Sequence, residues 1–105
     1  MEVEKVASAL NSELRREILK VLAGEPETAL GVLNKLKERG IKVRYRETVY
    51  RALEKLVEAN LVEKFYKRGR GICYGLLVNH ILLRIDEEKI SIEGKKRIHS
   101  RSPVR

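Results

Sequence analysis

Residues 47–76, ETVYRALEKLVEANLVEKFYKRGRGICYGL, decide the fold. Val49, Ala52, Leu53 and Leu56 recur at the spacing of one helix face, which predicts a helix over about residues 45–59. Asn60 falls where the chain must turn left-handed to leave that helix, a conformation asparagine tolerates. LVEKFYK and ICYGLL then lean towards β-structure on either side of Arg68-Gly69-Arg70-Gly71, which predicts a hairpin with a glycine-permitted turn. Lys67, Arg68 and Arg70 make the tip of this hairpin strongly positive.

Upstream, three more helices are expected. Val3, Val6, Ala7 and Leu10 give a short amphipathic first helix. Asn11-Ser12 offers an N-cap for the second, ELRREILKVLAG, whose Leu14, Ile18, Val21 and Leu22 share a face and which Gly24 and Pro26 terminate. Thr28 can cap a third, ALGVLNKLKERG, with Leu30, Leu33 and Leu36 as its buried stripe and Gly40 just past its end. Only about five residues then connect the third helix to the fourth, so the two must cross sharply. A helix-turn-helix followed directly by a β-hairpin is the winged-helix arrangement, an α+β fold.

NSELRREILKVLAG resembles the second helix of ArsR-like prokaryotic winged-helix regulators, and Glu47–Leu76 resembles their recognition helix, aliphatic exit and wing. TVYRALEKL is also similar to PadR-like regulators. The resemblance covers roughly residues 3–77 and departs at Asn60, where such proteins usually have glycine. It implies a DNA-binding regulator of transcription, and an archaeal source is expected with it. Abundant Lys and Glu with no Trp fit heat adaptation.

Charge placement agrees with a polyanionic partner. The formal net charge is +8; residues 40–72 carry nine basic and four acidic groups, and residues 95–105 carry five basic and no acidic ones. With the apolar side of the fourth helix turned inward, Arg46, Tyr50, Arg51 and Lys55 face outward, together with Glu47 and Glu54. Arg44 and Tyr45 stand at the helix entrance and Thr48 lies in its first turn. Arg46 and Arg51 suit bidentate pairing with guanine, Thr48 suits a phosphate, and Tyr50 suits a phosphate or a thymine methyl. Glu47 and Glu54 oppose phosphate unless they accept from cytosine or pair with Arg51. Lys67, Arg68 and Arg70 are expected on the backbone or in a narrow minor groove, where they position more than they specify. The bland alternative for both features is a solvated charged surface.

Nothing points to catalysis or to a cofactor. Cys73, His80 and His99 have no partners at metal-ligand spacing, and there is no phosphate-binding glycine motif or nucleophile–base pair. Cys73 is expected to be a packed small residue and His80 a structural one. No run of about 18 apolar residues is present to span a membrane, and MEVEKVASAL lacks the apolar core of a signal peptide, so a cytoplasmic protein is expected.

Three segments follow: a winged helix-turn-helix over 1–77, an extension over 78–94 and a basic, disordered tail over 95–105. In the extension Leu83 and Ile85 alternate, as do Ile90 and Ile92, with DEEK between them, which favours a second hairpin over a helix. Its apolar side chains exceed what one domain needs, so a homodimer through this element or the first helix is expected. The whole pattern predicts a sequence-specific regulator on double-stranded DNA. The rival functions are a winged-helix docking module for proteins and a sequence-tolerant architectural or RNA-binding protein.

Overall fold

The computed structural model describes residues 1–96; the rest of the basic tail, with His99, lies outside them. The chain runs α1 (Val3–Leu10), α2 (Glu13–Gly24), β1 (Glu27–Thr28), α3 (Ala29–Glu38), α4 (Arg46–Glu58), β2 (Val62–Lys67), β3 (Gly71–Leu76), β4 (His80–Ile85) and β5 (Ile90–Lys95). This is the winged-helix arrangement, with a second hairpin appended.

Local chemistry accounts for the helix boundaries. The Ser12 hydroxyl accepts from the Arg15 N–H and that of Thr28 from the Gly31 N–H, so α2 and α3 each begin on a side-chain cap. The guanidinium groups of Arg15 and Arg16 donate back to the carbonyls of Ser8, Ala9 and Leu10, which satisfies the end of α1 and sets its angle to α2. α3 ends with Gly40 at φ +80° and the Ile41 N–H donating to the Leu36 carbonyl at 2.9 Å. α4 ends the same way, with Asn60 at φ 62° and the Leu61 N–H on the Leu56 carbonyl at 3.1 Å. Both are Schellman turns, which return the chain sharply to the core.

The core lies where α2, α3 and α4 meet. Ile18, Leu36, Leu53 and Leu56 are fully enclosed, joined by Leu61 and Val62 as the chain leaves α4. Two helices bury a different stripe from the one expected. On α3 Leu30 is exposed and Val32 is buried beside Leu33 and Leu36; on α1 Ala9 is buried and Ala7 exposed. Each shift moves the inward face to one side, set by which neighbours the helix meets.

β1 was not foreseen. Its two residues pair antiparallel with β3, Glu27 opposite Tyr74 and Thr28 opposite Cys73, giving a three-stranded sheet in the order β1–β3–β2. Cys73 is buried within it. The extension forms the expected hairpin, β4 against β5 with Leu83 opposite Ile92 and Ile85 opposite Ile90. The Asp86 carboxylate accepts from the N–H groups of Glu88 and Lys89, which fixes its turn. β5 runs through Lys95, one residue into the segment expected to be tail. His80 is exposed at the start of β4, with its Nδ1 3.1 Å from Asn79 Oδ1, and packs into no core. Among the described residues no helix is long and apolar enough to cross a membrane.

Candidate nucleic-acid interface

The turn after α3 delivers the chain to α4 with Ile41 and Val43 packed on the core and Lys42 and Arg44 turned out. The Arg44 guanidinium lies over the Tyr45 ring, 5.7 Å from its centroid. Tyr45 is the extended N-cap of α4 and makes no side-chain cap. The first turn of α4 therefore presents N–H groups that no side-chain cap occupies, and such a terminus attracts anions.

Along α4, Arg46, Glu47, Thr48, Tyr50 and Arg51 are all exposed. Among the described residues Arg46 and Arg51 have no carboxylate within ion-pair distance. Thr48 lies on one flank, beside Leu14 and the α3–α4 turn. Lys55 stands apart from the others, on the rim of a shallow depression it shares with Glu4, Lys5 and Ser8 of α1. Tyr50 lies on the opposite flank, where an open groove between α4 and the wing is lined by Thr28, Tyr50, Arg70 and Ile72 and also by the charged pair Glu54 and Lys64.

Glu54, half-exposed on the rim of this groove, does not pair with Arg51. It accepts from Lys64 Nζ at 2.8 Å and from the Tyr74 hydroxyl at 3.3 Å. The Glu54 hydrogen bond raises the Lys64 pKa, and burial, ahead of the nearby charges, raises that of Tyr74. Of the two carboxylates that oppose phosphate on this helix, Glu54 is thus balanced by a wing-strand lysine, whereas Glu47 is exposed with no cation partner among the described residues.

On the wing, the Arg70 N–H donates to the Lys67 carbonyl at 3.0 Å, and Gly69 and Gly71 take φ +86° and +91°. Side chains resist both angles, so the two glycines are required by the turn. Lys67 and Arg68 project as exposed, unpaired cations among the described residues. Arg70 does not. Its Nη2 lies 3.1 Å from Oε1 of Glu27, a residue whose side chain is only 7% exposed. Lys35 Nζ holds the other oxygen of Glu27 at 2.7 Å and also meets Glu25 at 2.8 Å. These two hydrogen bonds, Glu25 first, raise the Lys35 pKa.

Glu27 and Lys35 escaped the sequence reading because 43 residues separate Glu27 from Arg70 and no local period marks the pair. Also overlooked were Tyr66 and Ile72, 71% and 47% exposed, which oppose each other across the wing. Their signal was present: they alternate with Phe65 and Cys73, which turn to the other face.

No family model matches the chain, and no curated protein matches it. Among solved structures it is similar to the ferric uptake regulator of Vibrio cholerae, with a TM-score of 0.60 and 22% identity, covering 88% of this chain and 76% of that one. It is also similar to the ferric uptake regulator of Francisella tularensis, solved with iron, with a TM-score of 0.55 and 24% identity over 78% of this chain and 64% of that one. At these identities the likeness establishes the shared fold.

Proposed function

We propose that this chain is a sequence-specific regulator of transcription that places α4 in the major groove of double-stranded DNA and its wing on the adjacent backbone or minor groove. The observation that carries this is a division of charge. Arg44, Arg46, Arg51, Lys67 and Arg68 have no carboxylate partner among the described residues, whereas Glu54 and Glu27 are occupied by Lys64, Lys35 and Arg70; Glu47, exposed in the first turn of α4, has no cation partner among the described residues. Free cations on a protruding helix and hairpin form the electrostatic footprint of a duplex-binding domain. The DNA-binding domains named for the Vibrio cholerae regulator belong to a protein of the same fold and support the same class. The resemblance to ArsR-like and PadR-like regulators supports it from the sequence side. Such a regulator would work in the cytoplasm, where the DNA is, and needs no catalytic group.

Selection from a pool of random duplexes at near-physiological salt tests this. An enriched inverted repeat is expected. Recovery without enrichment would replace it with the architectural function, and no recovery would leave the basic face to a protein partner.

The proposal includes a homodimer through residues 78–94. β5 lies against α1, while β4 is the outer strand and all six of its residues are exposed. Ile81, Leu83, Ile85, Ile90 and Ile92 share one face of a two-stranded sheet, and such a hairpin is marginal in water by itself. Antiparallel pairing of two β4 strands centred on Leu83 keeps that face continuous, with each Ile81 opposite the other copy's Ile85. A shift of one residue would set Ile81 against Arg84. The two α4 helices would then read half-sites about one DNA turn apart. Leu83→Lys is expected to convert a micromolar dimer into a folded monomer, read by sedimentation and circular dichroism. A wild-type chain that stays monomeric both free and on DNA would refute the dimer.

A further inference from the structure

We propose that Glu27 is a specificity-determining residue that acts through Arg70: it withholds one wing arginine from nucleic acid and so limits non-specific grip. This rests on the DNA-binding function proposed above and assigns a role to a carboxylate outside the recognition surface.

The geometry is built for this. Pairing of β1 with β3 fixes the Glu27 backbone opposite Tyr74, four residues along from Arg70. The carboxylate then lies over the first turn of α3, where Gly31 leaves room for it; a Cβ at position 31 would overlap Glu27 Oε1. Its two oxygens are divided between two cations, Oε1 to Arg70 and Oε2 to Lys35. On the other side, Gly69 and Gly71 fix the path of the wing turn through their positive φ angles, and the Arg70 side chain returns to the body while Arg68 does not.

Arg70 is also the releasable partner. Removing a sole counter-ion from a buried carboxylate is costly. Here Lys35 would remain on Glu27 at 2.7 Å, and the carboxylate immediately precedes the N-cap of α3, where the helix dipole favours an anion. Arg70 is itself 44% exposed and faces the groove shared with Tyr50. A phosphate seated there competes with Glu27 for the same guanidinium. On a poorly fitted duplex the carboxylate keeps Arg70, and the standing grip is Lys67 and Arg68. On a site that brings a phosphate to the groove, Arg70 transfers and adds a contact. Glu27 thereby widens the gap between best and random sites.

The test is a double-mutant cycle on the full chain, measuring affinity for a random-sequence duplex against salt. Glu27→Gln is expected to raise that affinity roughly two- to fivefold and to steepen the log–log salt slope by about 0.9, one more phosphate contact. Arg70→Ala alone should leave the random-duplex slope unchanged, and Glu27→Gln with Arg70→Ala should return to it. The ratio of best-site to random affinity should fall in Glu27→Gln. If Arg70→Ala alone flattens the random-duplex slope by about 0.9, Arg70 already sits on phosphate and the proposal fails. It fails equally if folded Glu27→Gln matches wild type. Should Glu27→Gln not fold, the Arg70→Ala slope decides alone. A wild-type chain that binds no duplex at any salt overturns the DNA-binding function itself, a different result from altered competition within a binding protein.

Discussion

Arg51→Ala is expected to weaken binding to the best duplex by about 1–3 kcal/mol, roughly five- to 150-fold, and to relax the base preference at one position of each half-site. Arg51 lies on the outer face of α4, in its second turn, exposed and without an ion-pair partner among the described residues. Its guanidinium gives up no internal contact on reaching a base edge, so its removal acts on the complex and leaves the fold intact. The control is the wing. Lys67 and Arg68 are unpaired too, but they sit on a turn suited to backbone phosphate, so replacing both should weaken all duplexes alike and flatten the salt dependence. Competition binding against a panel of single-base variants distinguishes the two. If Arg51→Ala leaves the ranking of sites unchanged, Arg51 does not read bases, and Arg46 becomes the next residue to replace.

Leu53→Ala should cost about 2–5 kcal/mol of folding stability, a large share of the roughly 5–15 kcal/mol of an ordinary domain. Leu53 is completely enclosed on the inner face of α4, in the same cluster as Ile18 and Leu36. Removing its isobutyl group leaves a cavity between helices already fixed by caps and Schellman turns at their ends, so collapse around it is restricted. Urea unfolding should show a lower midpoint with an unchanged slope. The protein that remains folded should keep its order of preference among duplexes, since the outer face of α4 is untouched. A loss below about 1 kcal/mol would be too small for a fully buried leucine and would contradict this packing of α4.

Much of the fold was legible because its determinants are local. The stripe of Val49, Ala52, Leu53 and Leu56 operates over single helical turns, and Ser12 and Thr28 cap within three residues. Asn60 and Gly40 take left-handed angles that few residues accept, and Asp86 closes its own turn. The outward cations of α4 follow from the same periodicity by subtraction. Leu30 was misplaced for a related reason: an apolar residue at the edge of a stripe carries no record of which neighbour the helix will meet.

By itself, then, the sequence determined the four helices and two hairpins, their order and the charged surface of α4 and the wing tip, since each depends on residues close along the chain, whereas β1 exists only through its pairing with β3. The tertiary structure alone decided how those charges are shared. Glu54 was drawn to Lys64 and Tyr74, ten and twenty residues on, and Arg70 to a glutamate 43 residues back. Which cations stay free for a partner depends on where the chain brings carboxylates past them. That is settled by the path of the backbone, through the pairing of β1 with β3 and the burial of Glu27, and no spacing along the sequence encodes it.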